Sequence, residues 1–408
     1  MEIQAAARST RPGGPLHGRV KPPGDKSISH RALILGLLCV GETVVEGLLE
    51  GDDILRTAAV CAELGAKVER RGEGRWSVRG CGIGSLLAPR ETLDFGNSGT
   101  GMRLMMGVAG GHAITAAFDG DASLRKRPMG RILGPLCQMG AELLSQAPGG
   151  RCPILLKGTS EPTPIEYSPP VASAQIKSAV LLAGLNSPGR TTVIEAEATR
   201  DHTEKMLKYF GASIAVEPYG KRGQKITLEG RPDLRPARVI VPSDPSSAAF
   251  PLVAALIVPR SDIVIEGMMM NPLRTGFLTT LLEMGACIDI LDRRVEGSEE
   301  VADLRVRAGP LKGVEVPAAR APAMIDEYPI LAIAAAYASG ETRMRGLAEL
   351  RVKESDRLGA VADGLRAAGI ACQIIDDDLI VEGRAGDVAG GGMVATHLDH
   401  RIAMSFLC

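Results

Sequence analysis

The sequence predicts an α/β protein built from six copies of one supersecondary unit, and three observations carry the prediction. A long hydrophobic side chain, a glycine and usually an alanine close an amphipathic stretch at Gly65, Gly140, Gly211, Gly285 and Gly369, in steps of 75, 71, 74 and 84 residues. Apolar stretches rich in small residues open near Asp25, Asn97, Ser173, Asp244, Asp326 and Asp399, in steps of 72, 76, 71, 82 and 73. Segments of strand-like composition follow the glycines, as at Lys67–Arg70, Cys287–Leu291 and Cys372–Ile375. Two interleaved series of one period mark an internal repeat.

Each element has a local reason. Glycine suits the left-handed C′ position that ends a helix, so the first series predicts helix ends running into strands. Asp, Asn and Ser are N-caps, and Pro or Ser in the first turn, as in DPSS (244–247), reinforces a helix start. Helices apolar nearly all round, such as SAVLLAGL (178–185), belong inside a domain. The unit therefore runs strand, buried helix, strand, amphipathic helix, strands, over about 75 residues. Six openings meet only five closings before Cys408, so the sixth unit is expected to be incomplete and the chain truncated at its C-terminus.

Composition bounds the function. The 408 residues have room for two or three domains. Lys and Arg number 47 against 48 Asp and Glu, which argues against a general nucleic-acid or membrane-surface binder and confines any cationic site to a local cluster. Eight cysteines without a CxxC read as reduced thiols, not a disulfide scaffold or a zinc ribbon. The longest apolar runs, Phe250–Val258 and Ile330–Tyr337, fall far short of the ~20 residues of a membrane span. Residues 1–16 lack the apolar core of a secretory signal and are expected to be a frayed cytoplasmic tail.

Cations gather at the predicted helix starts. PGDKSISHR (23–31), FGNSGTGMR (95–103) and SAQIK (173–177) open buried helices, while Arg127, Arg200-Asp-His and RVKESDR (351–357) stand at starts of the amphipathic series, and His400-Arg401 opens the last buried helix. Free backbone N–H groups and Lys or Arg side chains at helix starts suit phosphate or carboxylate ligands. GDKS lacks the spacing of a P-loop, no GxGxxG opens a helix after a strand, and six histidines without HExxH or paired spacing give no catalytic metal. No cofactor is expected. Asp326-Glu327 and Lys353–Arg357 also have a plain reading, as a helix cap and an exposed helix turn.

Taken together, PGDKSISHR (23–31), DFGNSGTGMR (94–103), KRPMG (126–130), SAQIKS (173–178), RVKESDR (351–357) and DHRIAM (399–404) resemble the 5-enolpyruvylshikimate-3-phosphate (EPSP) synthase family from about residue 18 onward. The resemblance implies the two-domain enolpyruvyl transferase fold, six βαβαββ repeats with three per domain. It also implies a discontinuous domain of 1–21 with 241–408, and an inserted domain of 22–240 hinged near Lys21 and Ile240. The implied reaction moves the carboxyvinyl group of phosphoenolpyruvate to the 5-hydroxyl of shikimate 3-phosphate, releasing phosphate, in chorismate and aromatic amino acid biosynthesis. By motif, Lys26, Ser27, Arg31, Ser173, Ala174, Gln175, Arg200, Asp326 and Lys353 are implied to bind shikimate 3-phosphate. Lys26, Gly99, Arg127, Gln175, Arg357 and Arg401 are implied to bind phosphoenolpyruvate. Asp326 would accept the hydroxyl proton, and Glu354 would protonate the methylene carbon and later take a proton back. Two acids amid cations form a natural general acid and base pair. A cytoplasmic monomer with two small-molecule substrates is expected.

Some residues depart from the family pattern: Ser173-Ala-Gln where many relatives have Ser-Ser-Gln, Arg200 in place of Tyr, Glu197 in place of Ser, and Leu104 in place of Pro. They point to the family's divergent second class. Gly99, where Ala would crowd phosphoenolpyruvate, implies sensitivity to glyphosate. The alternatives are the sister enzyme acting on UDP-N-acetylglucosamine, whose mobile loop carries a reactive Cys that DGDASLRKRP (119–128) lacks, and an inactive anion-binding fragment.

Overall fold

The computed structural model describes residues 9–11 and 13–408, so most of the N-terminal tail lies outside the described residues. The chain packs as two compact units. One is Gly24–Pro242 with Glu296–Glu299; the other takes the chain up to Pro23 with Ser243–Val295 and Glu300–Cys408.

The Gly24–Pro242 unit holds six helices: α1 (Lys26–Leu37), α2 (Asp52–Glu63), α3 (Gly99–Gly110), α4 (Gly130–Gln138), α5 (Ala174–Gly184) and α6 (His202–Tyr209). It has three four-stranded sheets of one topology. In each, a short edge strand runs parallel to its neighbour, which pairs antiparallel with one strand of a hairpin, as in Leu93–Asp94, Thr115–Asp119, Arg151–Lys157 and Glu142–Ala147. The second sheet is Glu166–Tyr167, Arg190–Glu195, Gly223–Glu229 and Ile214–Tyr219. The third borrows its edge strand: Arg238–Ile240, at the far end of the unit, pairs with Val40–Glu46.

The other unit holds α7 (Pro245–Ile257), α8 (Gly276–Glu283), α9 (Tyr328–Tyr337), α10 (Arg357–Ala367) and α11 (His400–Leu407). Two sheets repeat the same order, one taking His17–Val20 parallel to Asp262–Met269, the other Glu315–Val316 parallel to Ser339–Met344. The described residues thus form five four-stranded sheets. The core of this unit is aliphatic, with Leu252, Val253, Ile265, Leu304, Leu331, Val361, Val381 and Ile402 buried together.

The five repeat glycines all adopt positive φ, between +77° and +111°. Each sits one residue past the C-cap of α2, α4, α6, α8 or α10 and closes the same motif, shown by Gly65 N–H on the Ala62 carbonyl (3.1 Å) and Ala66 N–H on Cys61 (3.0 Å). These are paired 5→2 and 6→1 bonds, which satisfy carbonyls that a helix end leaves open. The alternate helices α1, α3, α5, α7 and α9 are buried nearly all round. Close approach permits this: an ideal Cβ on Gly107 of α3 would fall 2.4 Å from the Ala179 carbonyl oxygen of α5.

Four of the six expected openings are caps by side chain: Asp25, Ser173, Asp244 and Asp399 accept from the N–H of Ile28, Ile176, Ser246 and Arg401. Two are corrected. Ser98, not Asn97, caps α3, and Asn97 instead accepts from Arg127 Nη2 (2.9 Å). Asp326 is no cap, because α9 begins at Tyr328 with Pro329 in its first turn. Lys353 and Glu354 are not on a helix turn either. They follow the 3₁₀ turn Ala348–Val352 and precede α10, which Asp356 caps.

Candidate active site

In the Gly24–Pro242 unit the helix starts carry the expected cations. Lys26 opens α1, its ammonium 3.2 Å from Asp53, with the Asp25 cap behind it fully buried. Ser27 gives its carbonyl to Arg31 Nη1 (3.0 Å) one turn later. Arg31 is buried, and its Nε and Nη2 donate to Thr203 (2.7 Å) and Ser178 (2.9 Å). Burial pushes its guanidinium down to about 10, against the pull of Glu204 and Asp25, so Arg31 stays cationic at neutral pH.

A second group surrounds the start of α3. Arg103 donates to Gln175 Oε1 (2.8 Å) and to the Pro128 carbonyl (3.5 Å), while Gln175 Nε2 donates to Thr100 (3.0 Å). Arg103 therefore ties α3 to α5 and to the loop that presents Arg127. Burial, with Arg127 beside it, takes Arg103 down to about 10. An ideal Cβ on Gly99 would sit 3.1 Å from Arg103 Nη1 and 3.2 Å from Arg127 Nη1, so Gly99 is the floor between two guanidinium groups. Ser173 is occupied as the α5 cap, accepting from Ile176 N–H (3.4 Å), and Ala174 offers only backbone.

Beneath Arg31 lies a fully buried ion triad. Lys177 Nζ stands 2.8 Å from Glu195 and 2.7 Å from Glu204. Burial works to discharge Lys177, but the two carboxylates outweigh it and hold the ammonium above the ordinary lysine range. At the start of α6, following Arg200, Asp201, His202 and Glu299 bring ligand atoms within 4.8 Å of one another. The Lys205 ammonium lies on both carboxylates, 3.3 Å from Asp201 and 2.9 Å from Glu299, which makes this an ion-pair group.

The other unit gathers the acids around one cation. Arg357 is 1% exposed, and its guanidinium meets three carboxylates: Asp399 Oδ2 at Nε (2.8 Å), Asp326 Oδ1 at Nη1 (3.3 Å) and Glu354 Oε2 at Nη2 (2.6 Å). Burial alone would raise the Asp399 carboxyl, but the Arg357 hydrogen bonds and charge, with the Arg401 N–H and Ser355 hydroxyl, hold it below the ordinary range. Arg401 Nη1 donates to the Asp326 carbonyl (3.2 Å). Burial opposes its charge, yet Asp326, Glu327 and Asp244 keep it above the usual arginine value. Glu327, buried beside Asp326, accepts from Ser246, and Arg274 joins Ser246 to Asp244 (3.2 and 3.0 Å). Lys353 pairs with the exposed Glu349 (2.5 Å).

All fourteen expected residues thus fall into two sets, one per unit. Lys26, Ser27, Arg31, Gly99, Arg127, Ser173, Ala174, Gln175 and Arg200 lie in the first, and Asp326, Lys353, Glu354, Arg357 and Arg401 in the second. Sequence reasoning passed over Asp399, Arg103, Arg274, Thr203 and Ser178. Asp399, Arg103 and Ser178 lie within the quoted motifs, where Asp399 reads only as a cap, whereas Arg274 and Thr203 lie outside them.

A family model described as EPSP synthase (3-phosphoshikimate 1-carboxyvinyltransferase) matches residues 10–408. The chain belongs to the EPSP synthase family. It is 69% identical over 401 residues to the 3-phosphoshikimate 1-carboxyvinyltransferase of Methylobacterium sp. (strain 4-46), covering 98% of this chain and 89% of that protein. Against the enzyme of the same name from Bradyrhizobium sp. (strain ORS 278) the identity is 65%, with 98% and 89% covered. The fold matches the solved EPSP synthase of Acinetobacter baumannii with a TM-score of 0.88 at 44% identity, over 97% of this chain and 89% of that one. These likenesses fix the enolpyruvyl transferase fold and the transferase class, and they favour the shikimate enzyme over its sister. Among the described residues no helix is long and apolar enough to cross a membrane.

Proposed function

We infer that this chain transfers the carboxyvinyl group of phosphoenolpyruvate to the 5-hydroxyl of shikimate 3-phosphate and releases phosphate, and that the fourteen residues above do the work. Lys26, Ser27, Arg31, Ser173, Ala174, Gln175, Arg200, Asp326 and Lys353 bind shikimate 3-phosphate. Lys26, Gly99, Arg127, Gln175, Arg357 and Arg401 bind phosphoenolpyruvate. Both substrates are polyanions, and binding them asks for the local cations that an evenly charged chain has gathered at its helix starts.

The chemistry divides between two acids. Asp326 takes the proton of the 5-hydroxyl as its oxygen bonds to C2 of phosphoenolpyruvate, while Glu354 delivers a proton to C3, giving a tetrahedral adduct with a methyl group. In the second step the C2–O bond to phosphate breaks, Glu354 takes a methyl proton back, and the proton held by Asp326 leaves with phosphate. The observation that carries this reading is that Asp326 and Glu354 both lie on the Arg357 guanidinium, at 3.3 and 2.6 Å. One cation fixes both acids and lies beside any charge they exchange.

Inhibition by glyphosate and a cytoplasmic location belong to the same reading, supported by the missing side chain at Gly99 between two guanidinium groups and by eight free cysteines; a monomeric state is what the family resemblance implies. The test is ³¹P NMR, for phosphate, and ¹H NMR, for the product methylene, of the two substrates with the chain in D₂O. The expected result is one equivalent of inorganic phosphate per shikimate 3-phosphate consumed, with deuterium in the product methylene from exchange through the methyl adduct. An unchanged shikimate 3-phosphate signal contradicts the reading.

A further inference from the structure

Arg31 has five N–H donors, of which the protein takes three. One Nη1 donor goes back to the Ser27 carbonyl at 3.0 Å. Nε and Nη2, on one edge of the guanidinium, go to Thr203 Oγ1 at 2.7 Å and Ser178 Oγ at 2.9 Å. Those two hydroxyl oxygens are themselves hydrogen-bonded, 2.6 Å apart. The edge of the cation therefore meets a paired acceptor with the form a carboxylate offers, but without its charge. A carboxylate would neutralise Arg31; two hydroxyls fix its plane and leave its positive charge, with one donor on each terminal nitrogen, for an anion.

The hydroxyl pair is held in turn. Ser178 on α5 and Thr203 on α6 each adjoin an ionised residue, and those neighbours, Lys177 and Glu204, pair at 2.7 Å with side chains 0% and 3% exposed. A buried ion pair thus clamps the two helices one residue away from the hydroxyl contact, which holds the two oxygens in register under the guanidinium.

We propose that Thr203 and Ser178 are positioning residues for the acidic acceptor substrate, locking the Arg31 guanidinium so that its two remaining donors meet an anionic group of shikimate 3-phosphate. The proposal rests on the reading of Arg31 as a shikimate 3-phosphate ligand. It assigns the hydroxyls a role through Arg31 and none on phosphoenolpyruvate.

The test is steady-state phosphate release by the full chain and by Thr203→Val, Thr203→Ser, Ser178→Ala, Arg31→Ala and the Arg31→Ala/Thr203→Val double variant, with thermal midpoints recorded for each. Valine keeps the shape of threonine and removes the acceptor. The expected result is a fall of about tenfold, equivalent to about 1.4 kcal/mol, in kcat/KM for shikimate 3-phosphate in Thr203→Val. Ser178→Ala should lose several-fold, Thr203→Ser should recover to within about threefold, and KM for phosphoenolpyruvate at saturating acceptor should hold within about twofold. In the Arg31→Ala background Thr203→Val should change kcat/KM by less than about twofold, because a residue that acts through Arg31 has nothing left to act on. Wild-type kinetics in Thr203→Val, or a loss of the same size with and without Arg31, overturns the proposal. If Arg31→Ala alone keeps wild-type kcat/KM, the reading of Arg31 fails and takes the proposal with it.

Discussion

Arg357 is committed to three carboxylates at once, and the residue-scale predictions start there. Asp399 is its fully buried partner, and removing the charge while keeping the shape, by Asp399→Asn, leaves Arg357 under-paired in the interior. A loss of about 1–3 kcal/mol at pH 7 is expected. The carboxyl is held below its unfolded value, so the stability it contributes is complete above that value, near 4, and is lost as pH falls through the lower folded value. Thermal midpoints followed from pH 7 to pH 3 should therefore show the gap between wild type and Asp399→Asn closing below about pH 4; a constant gap contradicts the ion pair. Gly99 gives a second residue-scale prediction. The methyl of Gly99→Ala would lie 3.1–3.2 Å from the far ends of two flexible arginines, so the fold should survive while the floor between them rises. KM for phosphoenolpyruvate should increase several-fold and glyphosate inhibition weaken by more than that; unchanged inhibition would remove Gly99 from the phosphoenolpyruvate site.

At the scale of elements, what was legible in the sequence is what the backbone alone demands. The five C′ glycines could be placed because the αL position at a helix end penalises any Cβ, and the helices before them could be bounded from that. The start of α9 could not be placed from its acid. Asp326 looks like a cap, but Tyr328 and Pro329 take the first turn, and the carboxylate is drawn to Arg357 from 31 residues away. Partnerships of this range, including Arg31 with Thr203 at 172 residues, leave no mark on local pattern. The α3–α5 contact is similarly tertiary, and it is testable. Gly107→Ala drives a Cβ to within 2.4 Å of a backbone carbonyl that cannot rotate away, so the helices must separate, at a cost of about 1–3 kcal/mol. Chemical denaturation should show the lower midpoint; an unchanged midpoint would mean the two helices are free to shift.

For the whole molecule, periodicity revealed the repeat, and the five sheets of identical order bear it out. It did not reveal which edge strand joins which sheet: His17–Val20 precedes α1 yet pairs in the sheet that follows α7, and Arg238–Ile240 precedes α7 yet pairs with Val40–Glu46. Backbone pairing across more than 190 residues has no local signature. The function was legible because charge of one sign recurs at one structural position, the start of a helix, and the family resemblance supplied what those cations bind. The most direct test of the central claim is phosphate release from phosphoenolpyruvate with shikimate 3-phosphate, with UDP-N-acetylglucosamine and with no acceptor, by the wild type and by Asp326→Asn. Release with shikimate 3-phosphate alone, reduced at least about a hundredfold in Asp326→Asn, is the predicted result. Release with the nucleotide sugar, or without any acceptor, would contradict it.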